Sequence, residues 1–205
     1  MSDNVYEIGK YPPVNQDQFL ALRANAIQAY ANLEMSLKHL FAGQLGIPTD
    51  VAGLVLFRIT NTHARTRILN DLHHKNQGAK YDRFWKSLLS LVRTLDQRCN
   101  EIVHWHVVQT INLGLDHKDA ARLSLAPPAG WAAQSTAISE NELTDFIQRC
   151  DFAHRLINMF DLVLYHPTIH TEREPWLKIF EQPIIYPPPD THPLFGKDAA
   201  REGNV

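Results

Sequence analysis

Cysteine and long apolar runs are both scarce in this chain. Only two cysteines, Cys99 and Cys150, occur among 205 residues, and they form neither a CxxC pair nor a disulfide framework. The longest apolar run, residues 51–57, is far shorter than the ~20 residues that a membrane-spanning helix needs. These absences predict free, buried thiols and a protein without a membrane-embedded segment.

The chain also lacks a strong excess of either charge. Twenty Lys and Arg residues face 22 Asp and Glu residues, for a formal net charge of −2. Bulk electrostatics therefore does not demand nucleic acid as a partner, although a local basic cleft is compatible with RNA contact. The first residues show no basic segment followed by an apolar stretch, as a secretory signal would. Together with unpaired cysteines this predicts a cytoplasmic protein.

What the chain does have is helical periodicity. Hydrophobic residues make up 44% and charged residues 20%, a composition typical of a globular domain. Apolar residues recur at three- and four-residue steps, which predicts four long helices. We expect the first from Asn15 to about Gly43, the second at about 49–74, the third from Tyr81, and the fourth from Ser139 to about 164. Asn15 with Gln18, and Ser139 with Glu142, have the spacing of helix-capping boxes.

Shorter features interrupt and follow these helices. Two β-prone runs, 107–111 and 122–125, predict a small hairpin. We therefore expect a mainly α antiparallel bundle over residues 1–165, with its core at 15–165 and a β insertion at 107–126. Residues 166–205 are rich in proline, which excludes long helices; we expect a short helix at 174–181, packing of the first half of this tail, and disorder at 198–205. Residues 1–14 predict an extended arm.

The end of the third helix carries an unusual polar cluster. Steps of about 100° per residue assign four residues to the core face: Leu95, Cys99, Ile102 and His106. Asn100 and His104 lie four residues apart, so they stack on nearly the opposite side of the helix. Arg98 and Glu101 flank them. The sequence thus predicts a polar group that points at water or at another chain.

These residue types suit the cleavage of RNA without a metal. A histidine gives or takes a proton near neutral pH, and an arginine holds a phosphate through a planar fork of donors. An amide such as Asn100 orients the imidazole or the phosphate. Two such helices meeting across a twofold axis would bring two histidines and two arginines to one cleft.

The run Arg98-Cys99-Asn100-Glu101-Ile102-Val103-His104 resembles the motif of the HEPN family. Asn100 precedes His104 by four, as in the family, while Cys99 separates Arg98 from Asn100. The resemblance covers roughly residues 15–165. It implies a helical homodimer with the motif at the interface. Many members are metal-independent endoribonucleases of toxin–antitoxin, antiviral or RNA-processing systems, whereas others keep the fold without activity. In an active member Arg98, Asn100 and His104 would be catalytic, with Glu101 in support.

Several further polar residues have both a functional and an ordinary interpretation. Glu34 on the first helix either supports the site by pairing with Arg98 or is a carboxylate at the rim of the core. A polar patch on the second helix either contacts RNA phosphates or is a solvated face; its members are Asn61, His63, Arg65 and Arg67.

The eleven histidines invite the hypothesis of a metal site. The candidates are His73-His74, His104 with His106, and Asp151 with His154. None of them has a HExxH pattern or a Cys/His pair at zinc spacing, so we predict neither a metal nor a cofactor.

Three functions therefore stay open at this point. The first is a HEPN-like homodimer that acts on RNA, with Arg98 as phosphate clamp and His104 as acid or base. The second is a non-catalytic HEPN-like module that binds RNA, a nucleotide or a protein partner through the same face. The third is a helical protein that binds a metal through histidines.

Overall fold

Six α-helices and a three-stranded antiparallel sheet account for most of the chain that the computed structural model describes, namely residues 15–111, 121–128, 137–168 and 173–195. The helices are α1 Gln16–Leu45, α2 Thr49–Leu56, α3 Thr62–Gln77, α4 Asp82–His104, α5 Glu140–Tyr165 and α6 Glu174–Phe180. The strands are β1 His106–Ile111, β2 Ala121–Ala126 and β3 Ile138–Ser139, and a 3-10 turn covers Pro193–Phe195. The prediction of a mainly α protein with a small hairpin is confirmed.

The residues divide into two compact units. The first, here called the motif unit, takes its described residues from Met1–Gln28 and Arg98–Ile147. The second unit takes them from Ala29–Gln97 and Gln148–Val205. The predicted arm at 1–14 and the predicted disorder at 198–205 lie outside the described residues.

In the motif unit the N-cap predicted at Asn15 and the capping box predicted at Ser139 and Glu142 are both formed. The backbone N–H of Gln18 donates to Asn15 Oδ1 at 3.0 Å, so α1 begins where Asn15 predicted. The N–H of Glu142 donates to Ser139 Oγ at 3.3 Å, and the N–H of Ser139 donates to Glu142 Oε2 at 2.8 Å. These bonds satisfy amide groups that have no partner inside a first helical turn, and they fix the start of α5.

The single second helix predicted at 49–74 is wrong, because two helices occupy this segment. The chain leaves α2 after Leu56, and Asn61 has an extended backbone with φ −86° and ψ 114°. Its Oδ1 accepts the N–H of Ala64 at 3.1 Å. Asn61 therefore begins α3 as an N-cap instead of continuing a helix. At the other end of α3, Gly78 has a φ of +60°, which favours glycine over residues with a side chain.

The hairpin forms as predicted, with one strand added. β1 pairs with β2 from His106↔Ala126 to Ile111↔Ala121. β2 also pairs with β3 through Leu125↔Ile138, because Ile138 and Ser139 are extended before α5 begins. Leu125 and Ile138 are fully buried, which gives the small sheet an apolar face.

The placement of His106 on the core face of a helix is wrong. α4 ends at His104, and His106 is the first residue of β1, where its side chain is exposed. The antiparallel pairing of β1 with β2 begins at His106, so the ladder takes over the backbone hydrogen bonding of this segment from the helix. Leu95, Cys99 and Ile102 are buried as expected.

The core of the second unit is a cluster of aromatic rings. Phe160 stacks on Phe84 at 5.2 Å and meets Phe180 edge-on at 4.9 Å between centroids. Such pairs add about 0.5–1.5 kcal/mol each beyond the area that they bury. Trp176 and Phe180 of α6 are buried, so residues from the proline-rich tail contribute to this core.

Candidate functional site

The last two turns of α4 separate a buried side from an exposed one. Cys99 and Ile102 are buried, whereas Asn100, Val103 and His104 are exposed. Asn100 and His104 lie one turn apart on the exposed side, as the helical wheel predicted. Within the described residues neither of these two side chains makes a hydrogen bond or an ion pair.

Arg98 is held by two carboxylates of its own chain. Its Nη1 donates to Glu101 Oε2 at 2.7 Å, and its Nη2 donates to Glu142 Oε1 at 2.8 Å. The side chain of Arg98 is 28% exposed. Both amino groups of the guanidinium are therefore engaged, one along α4 and the other at the first turn of α5.

Glu142 combines this ion pair with the capping box of α5. Its Oε2 accepts both the N–H and the Oγ–H of Ser139, at 2.8 and 2.9 Å, while Oε1 accepts from Arg98. Burial by itself raises the pKa of Glu142, but the hydrogen bonds from Ser139 and the charge of Arg98 outweigh it and hold the pKa below its usual value. The carboxylate therefore stays charged and keeps Arg98 in place at neutral pH.

Arg23 is a site residue that sequence reasoning missed. Its Nε donates to Ile102 O at 2.9 Å, and its Nη2 donates to Val103 O at 2.8 Å and to Trp105 O at 3.1 Å. The last carbonyls of a helix have no partner within the helix and carry a partial negative charge. Arg23 satisfies them and so fixes the end of α4, where His104 lies. An arginine on another helix, 79 residues away in sequence from Ile102, gives no local signal of this role.

Glu34 has its own partner in the second unit. Arg65 Nη1 donates to Glu34 Oε1 at 2.6 Å, and Arg65 Nη2 contacts Thr62 Oγ1 at 3.4 Å. Arg98 has its carboxylates in the motif unit. The structure thus places Glu34 with Arg65, and it brings Arg98 together with Glu101 and with Glu142, which the sequence had marked only as a capping residue.

Carboxylates outnumber cationic side chains among the described residues of the motif unit. The described residues of the motif unit carry three arginines and five carboxylates: Arg23, Arg98, Arg122, Asp17, Glu101, Glu140, Glu142 and Asp145. Two of those arginines are already engaged by carbonyls or carboxylates. Since the affinity for RNA grows with the number of phosphates that cations neutralise, the described residues of the motif unit offer few free cationic groups to RNA.

The histidines considered as metal ligands do not converge. No group of three or more His, Cys, Asp or Glu side chains suited to a metal ion occurs among the described residues. His154 Nδ1 lies 3.0 Å from both Ser36 Oγ and Asn32 O, and its Nε2 lies 3.1 Å from Asn158 Nδ2. Its two nitrogens thus already have protein partners. His73 is fully buried against Trp85, with ring centroids 4.4 Å apart.

Comparisons with protein-family models, with curated proteins and with solved structures find no match. No helix in the described parts of the chain combines the length and the apolar character needed to cross a bilayer.

Proposed function

We propose that this chain is a non-catalytic HEPN-like helical module that binds a protein surface through the exposed side of α4. The observation that carries the proposal is the double ion pair of Arg98 with Glu101 and Glu142. A phosphate clamp needs a guanidinium whose donors face the ligand. Here both terminal amino groups face carboxylates of the same chain.

Releasing Arg98 for a phosphate is unfavourable on two counts. The guanidinium would give up two charge-assisted hydrogen bonds, each contributing about 1.5–3 kcal/mol when well formed and less when partly exposed. The two carboxylates left behind would then lie next to an incoming phosphate and repel it. Arg98 instead joins the end of α4 to the start of α5, and we assign it to the stability of the motif unit.

The exposed side of α4 has the composition of a protein contact. Asn100 and His104 offer donors and acceptors, and Val103 between them has 41% of its surface exposed. With Arg98 compensated by carboxylates, the three described residues exposed on this side of α4 include no lysine or arginine that could hold a phosphate. Following the resemblance to HEPN proteins, we propose a second copy of the chain as the partner, so that the two α4 ends meet across a twofold axis.

A metal-independent endoribonuclease is the second candidate function. The observation in its favour is the exposed pair of Asn100 and His104, which stands one turn apart as the family motif does. A dimer that brought two His104 side chains together would hold an acid and a base in one cleft. In that case Arg98 would have to exchange its carboxylates for the substrate.

The cleavage of a mixed RNA pool in EDTA tests the choice between these functions. The native chain is compared with His104→Ala and Arg98→Ala, and with His106→Ala as the matched control, since His106 is an exposed histidine two residues further on. We expect no cleavage that depends on His104. Cleavage by the native chain that survives chelation, disappears in both His104→Ala and Arg98→Ala, and persists in His106→Ala would overturn the binding module and establish the nuclease.

A further inference from the structure

The second unit contains a basic cleft between α3 and α4. It has a volume of about 470 Å³ and is lined by His63, Arg67, Asn70, Lys86, Leu89 and Arg93. On α3 the lining residues are spaced by four and three, and on α4 by three and four, so each set lies on one face of its helix. Arg93 links the two helices, because its Nε donates to Thr66 Oγ1 at 3.2 Å.

We propose that this cleft binds a small phosphorylated organic molecule. The proposal concerns residues of the second unit and is independent of the function assigned to the α4 end. The lining contains three cationic side chains and no carboxylate, in a chain whose net charge is −2. Gathering like charges in one concavity costs repulsion, and an anion that lies among them removes this cost.

The two arginines are the groups that would hold the phosphate. Arg67 is exposed and makes no hydrogen bond or ion pair within the described residues. Arg93 is oriented through Nε by Thr66, a buried side chain, and its two terminal amino groups have no partner in the described chain. Arginine offers a planar fork that matches two phosphate oxygens. Lys86 is less available, since its Nζ lies 2.9 Å from Asp82 Oδ2.

The size and the remaining lining favour an organic phosphate over the bare ion. Pockets for small molecules commonly have about 300–1,000 Å³, and this cleft lies within that range. Leu89 is buried and offers an apolar floor, while the amide of Asn70 and the ring of His63 offer directional hydrogen bonds. A phosphate group at the arginines leaves room for a body of sugar or ring size.

Isothermal titration of the full chain with ribose 5-phosphate and with adenosine monophosphate tests the proposal, alongside inorganic phosphate and a short RNA. We expect saturable binding of at least one of the two organic phosphates, tighter than that of inorganic phosphate. Arg67→Ala and Arg93→Ala should each weaken it by roughly tenfold or more. Arg83→Ala is the matched control, because Arg83 is an exposed arginine of α4 outside the lining, and it should bind as the native chain does.

Several results would overturn this assignment. For the ligands, they are no saturable binding of either organic phosphate below about 1 mM, inorganic phosphate binding as tightly as the organic phosphates, or binding of RNA alone. For the variants, they are unchanged affinity of a folded Arg67→Ala chain, or a loss of affinity in Arg83→Ala as large as that in Arg67→Ala. Arg93→Lys serves as a second variant, since it keeps the charge but loses the fork. It should still bind more weakly than the native chain.

Discussion

Two buried ionisable residues of the second unit should give opposite responses of stability to acid. His73 has no exposed surface, and neither of its ring nitrogens has a partner among the described residues. Burial, helped by the nearby His74, lowers the pKa of His73 to about 4 against the opposing charge of Asp82. Between pH 6.5 and 4, His73 therefore binds a proton in the unfolded chain but stays neutral in the folded chain. This difference lowers the free energy of unfolding by roughly 3 kcal/mol as the pH falls.

Asp161 acts in the other direction. Burial raises the pKa of Asp161 to about 6, although His166, 3.5 Å away, partly opposes the rise. Between pH 6 and 3.8 the folded chain holds a proton that the unfolded chain has lost. The free energy of unfolding therefore gains roughly 3 kcal/mol from this group as the pH falls. In the native chain the two contributions nearly cancel.

Replacing either residue should leave the pH dependence of stability that the other one contributes. The quantity compared is the free energy of unfolding of the variant minus that of the native chain. Between pH 7 and pH 4 this difference should fall by about 3 kcal/mol for Asp161→Asn and rise by a similar amount for His73→Phe. Urea unfolding followed by circular dichroism at pH 7, 6, 5 and 4 measures both differences. Asp71→Asn, an exposed carboxylate of the same unit, is the control. Stability curves for His73→Phe and Asp161→Asn that run parallel to the native curve would refute this reasoning.

Variants at three further residues test how α3 begins, how the end of α4 is held and whether it forms an interface. Arg23→Met should lower the free energy of unfolding by about 2 kcal/mol in urea, because three carbonyls of the α4 end lose their donors; an unchanged midpoint would contradict this role. Asn61→Ala should lower the free energy of unfolding by about 1 kcal/mol through loss of the α3 cap. Asn61→Asp should keep most of the stability that the cap provides. Val103→Asp should weaken the proposed dimer in sedimentation velocity while leaving the helix content measured by circular dichroism unchanged. A dimer that Val103→Asp does not weaken would show that the α4 ends do not meet.

Local signals in the sequence located the helix starts well. Asn15 with Gln18, and Ser139 with Glu142, form their capping bonds within three residues, so a pattern of neighbours was sufficient. The start of α3 at Asn61 has the same kind of signal. The apolar residues on both sides of Arg58 favour one continuous helix in the sequence, but the side chain of Asn61 binds a backbone amide and begins a new helix.

Long-range partners were beyond the reach of the sequence. Arg98 with Glu101 is a helical neighbour pair, but Glu142 lies 44 residues away, and Arg23 meets carbonyls 79 to 82 residues away. The basic cleft is a similar case: the sequence marked His63 and Arg67, whereas Arg93 joins them only through packing of α4 on α3. Periodicity predicts which side of a helix is exposed. Tertiary packing determines which charged side chains then pair with each other.

The central claim is that Arg98 serves the fold of its own chain, and a double-mutant cycle on Arg98 and Glu142 tests it most directly. The free energies of unfolding of Arg98→Ala, Glu142→Gln and the double variant are compared with that of the native chain in urea. Since both side chains are partly exposed, we expect a coupling of about 0.5–1 kcal/mol, with no loss of helix content. A coupling energy indistinguishable from zero would contradict the claim, and Arg98 would then be available to bind a ligand.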